Sequence, residues 1–191
     1  MGSDKALLPF GAGNLLQFML AKVRELTSTP VIVGSRIRYG GFGEAVEDRI
    51  AGCGPLGGIH AALSTARTDR SLILSVDMPL LTASFLHWLV RAAANSDAVA
   101  TVPEAAGRLQ PLCAVYRRSA LPLIEKEIEA RRFKAAGIYS LVTTRVIAEN
   151  ELRVAGFAPD MFRNLNTPDE YRAALADEQS HRVSTVEVYR T

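Results

Sequence analysis

Residues 71–79 read SLILSVDMP, and this stretch decides the fold. Its nearly continuous apolar run, without strict alternation, is typical of a strand buried on both faces of a parallel sheet. Asp77 follows the strand and precedes Met78-Pro79. Because open α/β sheets bind ligands beyond the carboxyl ends of their strands, a carboxylate here faces the ligand crevice. Asp77 is therefore a candidate ligand for a hard cation such as Mg²⁺. An isolated aspartate at this place would otherwise serve as a helix-approach cap or in an ion pair.

Helical and strand-like segments alternate on both sides of this stretch. The predicted strands lie at 31–33, 71–76, 98–102, 109–116 and, more weakly, 146–148, with a short strand or turn at 162–166. The first predicted helix is capped by Asn14 and carries Leu16, Met19, Leu20, Val23 and Leu26 on one face. Further helices follow the loop 52–58, cover 85–93 with Thr82 as cap, cover 120–131, and begin at a capping box at 167–170. This alternation predicts a single three-layer α/β domain with a mainly parallel sheet. We expect a polar tail after about residue 177.

Composition and charge narrow the class of protein. The chain has 191 residues, of which 48% are hydrophobic and 22% charged, as in ordinary globular domains. Its net charge of +2 argues against a large nucleic-acid footprint. No apolar run reaches the roughly 18 residues of a membrane helix, and no signal-peptide pattern is seen. We therefore expect a cytoplasmic protein without nucleic-acid or membrane partners.

Cysteines and histidines show no metal-binding spacing. Cys53 and Cys113 are far apart in the sequence, and reduced thiols are favoured over a disulfide because such bonds are rare in the cytosol. His60, His87 and His181 form no cluster. Structural or surface roles are expected for all three histidines.

A glycine-rich loop with an upstream acidic residue is the second candidate site. Residues 52–58 read GCGPLGG and lead into a helix, whose N-terminus presents free N–H groups to a ligand. The loop matches neither a dinucleotide-binding nor a Walker A pattern, and a tight turn also explains it. Asp48 precedes the loop and can accept a hydrogen bond from a sugar hydroxyl or a base N–H. An ordinary surface position is the alternative.

Two further stretches carry candidate ligand-binding side chains. Residues 163–168 read RNLNTP, in which Asn164 and Asn166 project to the same side of an extended segment and suit the edge of a heteroaromatic ligand. Turn and cap roles are the alternative for Asn166 and its neighbour. At the N-terminus, Lys5 follows the turn-like Gly2-Ser3-Asp4 and is a suitable point charge for a phosphate. Alone, a terminal lysine would be solvated surface.

Taken together, the four stretches resemble the molybdenum cofactor guanylyltransferases, within the wider α/β nucleotidyltransferases with a Rossmann-like sheet. The N-terminal signature of that family is L-A-G-G-x-S-x-R-M-G-x-D-K, and residues 1–5 match its last five positions. Its acidic residue ahead of a G-P-L-x-G loop is matched by Asp48 and residues 54–58. Its C/S-x-D-x-P segment is matched at 75–79, and its N-x-N-T-P element at 164–168. The resemblance covers roughly residues 1–176, so 177–191 is the tail.

The resemblance implies a reaction and a set of roles. The terminal phosphate of molybdopterin attacks the α-phosphate of GTP, and pyrophosphate leaves. Lys5 neutralises phosphate charge and Asp77 holds Mg²⁺, so both are catalytic and bind the nucleotide. Asn164 and Asn166 lie on the pterin side. The residues implied to contact the nucleoside are Asp48, Gly54, Pro55, Leu56 and Gly57. Molybdoenzymes and other proteins of cofactor biosynthesis are the implied partners.

One departure from the family pattern keeps alternatives open. The first half of the signature and the strand before it do not occur in the sequence. Loss of a central strand would leave its two neighbours unpaired, so we expect that the natural chain begins earlier. A relative that uses CTP is one alternative. A non-catalytic protein that binds and delivers molybdopterin is the other.

Overall fold

The computed structural model describes residues 4–48, 50 and 52–188, with side chains through residue 178. The first two residues of the turn-like sequence Gly2-Ser3-Asp4 therefore lie outside the described residues. The helices are α1 (Leu15–Arg24), α2 (Arg36–Tyr39), α3 (Pro55–Thr65), α4 (Ala83–Ala94), α5 (Leu121–Glu129), α6 (Glu149–Val154) and α7 (Pro168–Val188). The strands are β1 (Pro9–Phe10), β2 (Gly13–Asn14), β3 (Val31–Val33), β4 (Glu44–Val46), β5 (Arg70–Leu74), β6 (Ala100–Ala105), β7 (Arg108–Leu109), β8 (Cys113–Arg117) and β9 (Thr144–Ile147). Short 3-10 turns occur at Lys5–Leu7, Arg118–Ala120, Ala135–Ser140 and Pro159–Phe162.

The predicted helix caps are confirmed by their hydrogen bonds. The Asn14 side chain accepts from the backbone N–H of Gln17, and the Gln17 side chain accepts from that of Asn14, at 2.9 and 3.1 Å. Thr82 Oγ1 accepts from the N–H of the third residue after it, at 3.2 Å. Thr167 and Glu170 form the capping box of α7, because each side chain accepts from the backbone N–H of the other residue. These contacts satisfy N–H groups that a helix cannot pair internally.

The larger sheet follows the expected mainly parallel direction for β5, β6 and β9, whereas β7 and β8 run against them. Strand β9 lies parallel to β6, whereas β8 lies between β5 and β6 and is antiparallel to both. The chain returns from β6 to β8 through a tight turn at Ala106-Gly107 and the short strand β7. A local return of this kind reverses the strand direction, whereas a parallel neighbour requires a long crossover.

Helices cover both faces of this sheet, as the three-layer prediction requires. Along β8, Cys113 and Val115 pack with α4, whereas Ala114 and Tyr116 pack with α3 and α5. This alternation follows from the two-residue period of a strand. The α/β class is confirmed.

Strands β3 and β4 form a separate parallel sheet of two strands. On one side Ile32 and Ala45 pack against α1, and α3 packs against strands of both sheets. Among the described residues, β3 and β5 each pair with a neighbouring strand on one side only.

Two segments differ from their predicted bounds. The strand expected over 109–116 is divided into β7 and β8, because Pro111 has no N–H to donate and the side chain of Gln110 bonds to the carbonyls of Ala105 and Arg108. Helix α7 continues to Val188, so the boundary expected at 176/177 falls within a helix. Among the described residues, no helix is long and apolar enough to cross a membrane.

Candidate active site

Asp77 lies just beyond the carboxyl end of β5, as predicted. Its Oδ1 accepts a hydrogen bond from Ser75 Oγ at 2.5 Å, and the carboxylate is half-buried. Ser75 is itself bound to the sheet, because its backbone N–H donates to the carbonyl of Leu112 at 2.7 Å. The carboxylate therefore has a fixed place at the edge of the larger sheet.

The asparagine segment is attached directly to Asp77. The backbone N–H of Leu165 donates to the carbonyl of Asp77 at 2.9 Å, and the Leu165 side chain is buried beside Phe10. Asn166 is exposed on one side of Leu165. On the other side, the Oδ1 of Asn164 is buried without a hydrogen-bond partner among the described residues. The two asparagines thus lie in different environments.

Lys5 completes this group of residues. Its Nζ donates to Asn166 Oδ1 at 3.0 Å, although the two residues are 161 positions apart. The fold therefore brings together Lys5, Asp77 and the asparagine segment, which the sequence placed in three separate stretches.

Asp4 fixes the turn that carries Lys5. Its carboxylate accepts from the N–H of Ala6 at 3.1 Å, from the Tyr39 hydroxyl at 2.7 Å and from Arg38 at 3.3 Å. Although partial burial acts to raise the pKa of Asp4, these hydrogen bonds and the Arg38 charge lower it below its ordinary value. Burial and the hydrogen bond to Asp4 raise the pKa of Tyr39 to about 12. The N-terminal turn is thus anchored to the segment that follows β3 by a charged carboxylate and a neutral phenol.

Asp48 and the glycine loop form a second group. Asp48 Oδ1 accepts from the N–H of Ile50 at 3.0 Å, and its Oδ2 lies so close to Gly57 that a Cβ there would approach it to 2.5 Å. Only glycine permits this approach without displacing the carboxylate. Gly54 has a φ of 55°, which also favours glycine. Asp48 therefore lies against the first turn of α3, where backbone N–H groups and the helix dipole favour negative charge.

The loop is shorter than the sequence suggested. Helix α3 begins at Pro55, so Pro55, Leu56 and Gly57 belong to its first turn. The Leu56 side chain is completely buried in the core below the sheet. Any contact of Leu56 with a nucleotide is therefore made by its backbone. Among the described residues, no hydrogen bond joins this group to Lys5 or Asp77.

The donor set at Asp77 fits one kind of metal ion. Among the side chains that the structure describes, which end at residue 178, no group of three His, Cys, Asp or Glu is arranged to hold an ion. Mg²⁺ is commonly bound by one or two carboxylates together with substrate phosphates and water. Asp77 therefore fits an ion that arrives with a nucleoside triphosphate.

Two neighbours of the site were not predicted as site residues from the sequence. Glu170 Oε2 accepts from the backbone N–H of Asn166 and of Thr167, both at 2.8 Å, so the capping box of α7 also fixes the backbone of Asn166. The hydrogen bond from the Asn166 N–H makes the largest contribution to lowering the pKa of Glu170, and that from the Thr167 N–H adds to it. Lys22 in α1 donates to the backbone carbonyls of Pro79 and Leu81, just beyond Asp77. The capping-box pattern could have indicated Glu170, whereas no motif surrounds Lys22.

Known proteins are similar to this chain in sequence. The model of the MobA-like NTP transferase domain family matches residues 1–145. The chain is 31% identical to a probable molybdenum cofactor guanylyltransferase of Carboxydothermus hydrogenoformans, covering 92% of this chain and 88% of that protein. It is also 31% identical to a protein of the same name from Pelotomaculum thermopropionicum, covering 97% and 91%.

Solved structures agree on the fold. The crystal structure of molybdopterin-guanine dinucleotide biosynthesis protein A from Archaeoglobus fulgidus superposes with a TM-score of 0.80 at 23% identity, covering 94% of this chain and 92% of that one. The 2-C-methyl-D-erythritol 4-phosphate cytidylyltransferase of Thermus thermophilus gives a TM-score of 0.65 at 17% identity, covering 92% and 94%. By its sequence the chain belongs to the MobA-like NTP transferase family, and it is a nucleotidyltransferase.

Proposed function

We propose that this protein transfers GMP from GTP to molybdopterin in the presence of Mg²⁺ and releases pyrophosphate. The observation that carries the proposal is the 3.0 Å hydrogen bond between Lys5 Nζ and Asn166 Oδ1. It joins the residue assigned to phosphate to the segment assigned to the pterin. The names of the two relatives described above support GTP as the donor and the molybdenum cofactor as the acceptor.

In the proposed reaction, a terminal phosphate oxygen of molybdopterin forms a bond to the α-phosphorus of GTP. The bond from that phosphorus to the pyrophosphate group breaks, and the electron pair leaves with pyrophosphate. Negative charge spreads over the α-phosphate and the leaving group, so catalysis depends on alignment and positive charge. Lys5 lies where donor and acceptor would meet and neutralises part of this charge. Asp77 would hold Mg²⁺, which when bound stabilises charge on the phosphates and the leaving group.

Asn164 is the second residue assigned to the pterin. Its buried Oδ1 has no hydrogen-bond partner among the described residues. An unpaired buried acceptor destabilises a fold by about 1–3 kcal/mol, so packing alone does not explain an amide at this position. A ligand that donates a hydrogen bond to Asn164 after a small local movement would explain it.

Asp48 and the first turn of α3 would bind the nucleoside. The carboxylate accepts hydrogen bonds from N–H or O–H groups of a base or sugar. N–H groups at the helix N-terminus donate hydrogen bonds to anionic oxygens. The close approach of Asp48 to Gly57 supports this assignment, because it holds the carboxylate against that helix end.

The deciding experiment is turnover with purified protein, molybdopterin, Mg²⁺ and either GTP or CTP. We expect pyrophosphate and a guanine dinucleotide product from GTP, at a catalytic efficiency well above that with CTP. Preference for CTP would contradict the proposal and favour the related cytidylyl enzyme. Calorimetry separates the remaining alternative, because molybdopterin binding without detectable Mg²⁺-GTP binding would identify a delivery protein.

Replacement of Lys5 tests the residue on which the proposal depends. Lys5→Ala should lower kcat by about 10²-fold, since one charge-stabilising group is lost from the transition state. Lys126→Ala removes a lysine from the exposed face of α5 and should leave kcat unchanged. An unchanged catalytic efficiency in Lys5→Ala would remove Lys5 from the phosphate role.

We further propose that the reaction takes place in the cytoplasm and that molybdoenzymes or other cofactor-biosynthesis proteins receive the product. The free thiols of Cys53 and Cys113, both buried, support a reducing compartment. Burial also raises the pKa of the Cys113 thiol, so it stays protonated and unreactive.

A further inference from the structure

Lys22 lies on the face of α1 that meets the segment after β5. Its Nζ donates to the carbonyl of Pro79 at 2.5 Å and to that of Leu81 at 2.7 Å. The ammonium group also lies 4.3 Å from the ring centroid of Phe18, within range of a cation–π contact. The side chain is partly buried.

The segment that Lys22 contacts is the one that carries Asp77. Residues 77–81 follow β5 and precede α4. Buried backbone carbonyls outside a strand ladder need other donors, and an ammonium group offers three N–H groups. Lys22 donates to the carbonyls of Pro79 and Leu81, and the N–H of Leu165 donates to the carbonyl of Asp77.

Packing alone gives no reason for a charge at this position. Transfer of an ammonium group out of water is costly unless its donors are paired, and an apolar side chain would fill the same space without that cost. Burial lowers the pKa of Lys22 to about 8, although Glu178 on α7 and Glu25 on α1 act to raise it. The charge is therefore retained against desolvation by two backbone carbonyls, an aromatic face and acidic residues from two helices.

We infer that Lys22 is a positioning residue for nucleotidyl transfer, which fixes the 77–81 backbone through the Pro79 and Leu81 carbonyls and thereby sets the place of the Asp77 carboxylate. This inference rests on the proposed function for the role of Asp77. It assigns to α1 a part in catalysis that no motif in the sequence indicates. In this role Lys22 acts through the backbone carbonyls that it contacts.

The test compares Lys22→Met and Lys22→Arg with Lys126→Met, a matched substitution on an exposed helix face. A displacement of about 1 Å at the reacting groups can lower a rate about 10²-fold, so we expect kcat of Lys22→Met to fall between tenfold and a hundredfold. KM for GTP should change less than threefold, because Asp48 and α3 lie outside the contact. Lys22→Arg keeps the charge and the donors and should recover most of the lost kcat.

A second measurement does not depend on activity. Hydrogen exchange of the Leu165 amide, which donates to the Asp77 carbonyl, should be at least tenfold faster in Lys22→Met and unchanged in Lys126→Met. If the wild-type protein does not turn over GTP, the proposed function fails, and this exchange rate still decides whether Lys22 fixes the Asp77 segment.

The inference is overturned if kcat per folded molecule is unchanged in Lys22→Met, whether or not the melting temperature falls. Unchanged exchange at Leu165 would overturn it equally. If Lys22→Met does not fold, Lys22→Gln, which retains an amide donor, is measured in its place with the same two outcomes.

Discussion

Asp77 is held by contacts of two kinds, a side-chain hydrogen bond from Ser75 and a backbone hydrogen bond from Leu165. The first fixes the carboxylate, and the second fixes the chain that carries it. Both contacts survive the loss of one carboxylate charge, since neither uses a salt bridge. The charge of Asp77 can therefore be removed by substitution without changing the fold.

Asp77→Asn should lower kcat by about 10²-fold or more, because the amide binds Mg²⁺ poorly and one part of the electrostatic stabilisation is lost. The free energy of unfolding should change by less than about 1 kcal/mol, since Ser75 still donates to the amide oxygen and only the charge-assisted part of that bond is lost. Steady-state kinetics and urea unfolding measure the two quantities. Asp97→Asn, at a fully exposed aspartate, is the control. Wild-type turnover in Asp77→Asn would rule out the metal role.

The approach of Asp48 to Gly57 gives a second prediction at this scale. In Gly57→Ala the new methyl group must displace the Asp48 carboxylate, which it would otherwise meet at 2.5 Å. KM for GTP should rise about tenfold, equal to the loss of one hydrogen bond to a charged group, while kcat stays within twofold. Gly58→Ala is the matched control, because no atom lies within 4 Å of its added Cβ. Equal KM values in the two variants would contradict the assignment of Asp48 to the nucleoside.

Some site residues could be identified from local sequence patterns, and others could not. Asp48, Asp77 and Asn166 stand in short patterns beside strands or glycines, so local chemistry could indicate them. Lys22 stands in an ordinary amphipathic helix, and only the tertiary fold shows that it meets residues 79–81. The pattern also assigned Asn164 and Asn166 one role, whereas in the structure the Oδ1 of Asn164 is buried and Asn166 is exposed.

Among the elements, helix starts were the most predictable and strand pairing the least. A cap depends on residues three positions apart, so Asn14, Thr82 and Thr167 could be identified locally. Strand direction depends on the path between strands. The turn at Ala106-Gly107 returns the chain directly and makes β8 antiparallel, although its apolar pattern resembles that of a buried parallel strand.

The capping box of α7 supports the site as well as the helix. Thr167→Ala removes the acceptor for the Glu170 N–H and should lower the free energy of unfolding by about 1 kcal/mol. Glu170 retains its hydrogen bonds from the backbone N–H groups of Asn166 and Thr167, so we expect kcat to stay within twofold. Thr29→Ala, at an exposed threonine before β3, should change stability by less than about 0.5 kcal/mol. A larger effect on kcat than on stability in Thr167→Ala would assign the threonine itself to the site.

At the scale of the whole molecule, two sheets share helices rather than strand pairs. Helix α3 packs against strands of both, and α1 connects the β3–β4 sheet to residues 79–81 through Lys22. The α/β class and the three layers could be predicted, since they follow from alternating apolar segments. The division into two sheets could not, because pairing between distant strands leaves no local pattern.

The buried ammonium group of Lys22 makes global stability depend on pH. Its pKa is about 8 in the folded protein and 10.5 in an unfolded chain, so between these values the unfolded state binds more protons. Stability due to this group therefore rises with pH across the window. Relative to Lys22→Met, the wild-type free energy of unfolding should rise by about 2 kcal/mol from pH 7 to pH 9.5. Urea unfolding of both proteins at the two pH values measures it, and a constant difference would show that the lysine is not desolvated.

The contact made by Lys22 also has a consequence for how this molecule can diverge. Lys22 binds carbonyl oxygens that every amino acid possesses, so the hydrogen bonds place no demand on the side chains at positions 79 and 81. Those positions can change, within the limits of their packing, while the lysine stays. A substitution at position 79 or 81 therefore needs no compensating substitution at position 22. A search for covarying positions among related sequences would miss this contact between α1 and the segment of Asp77.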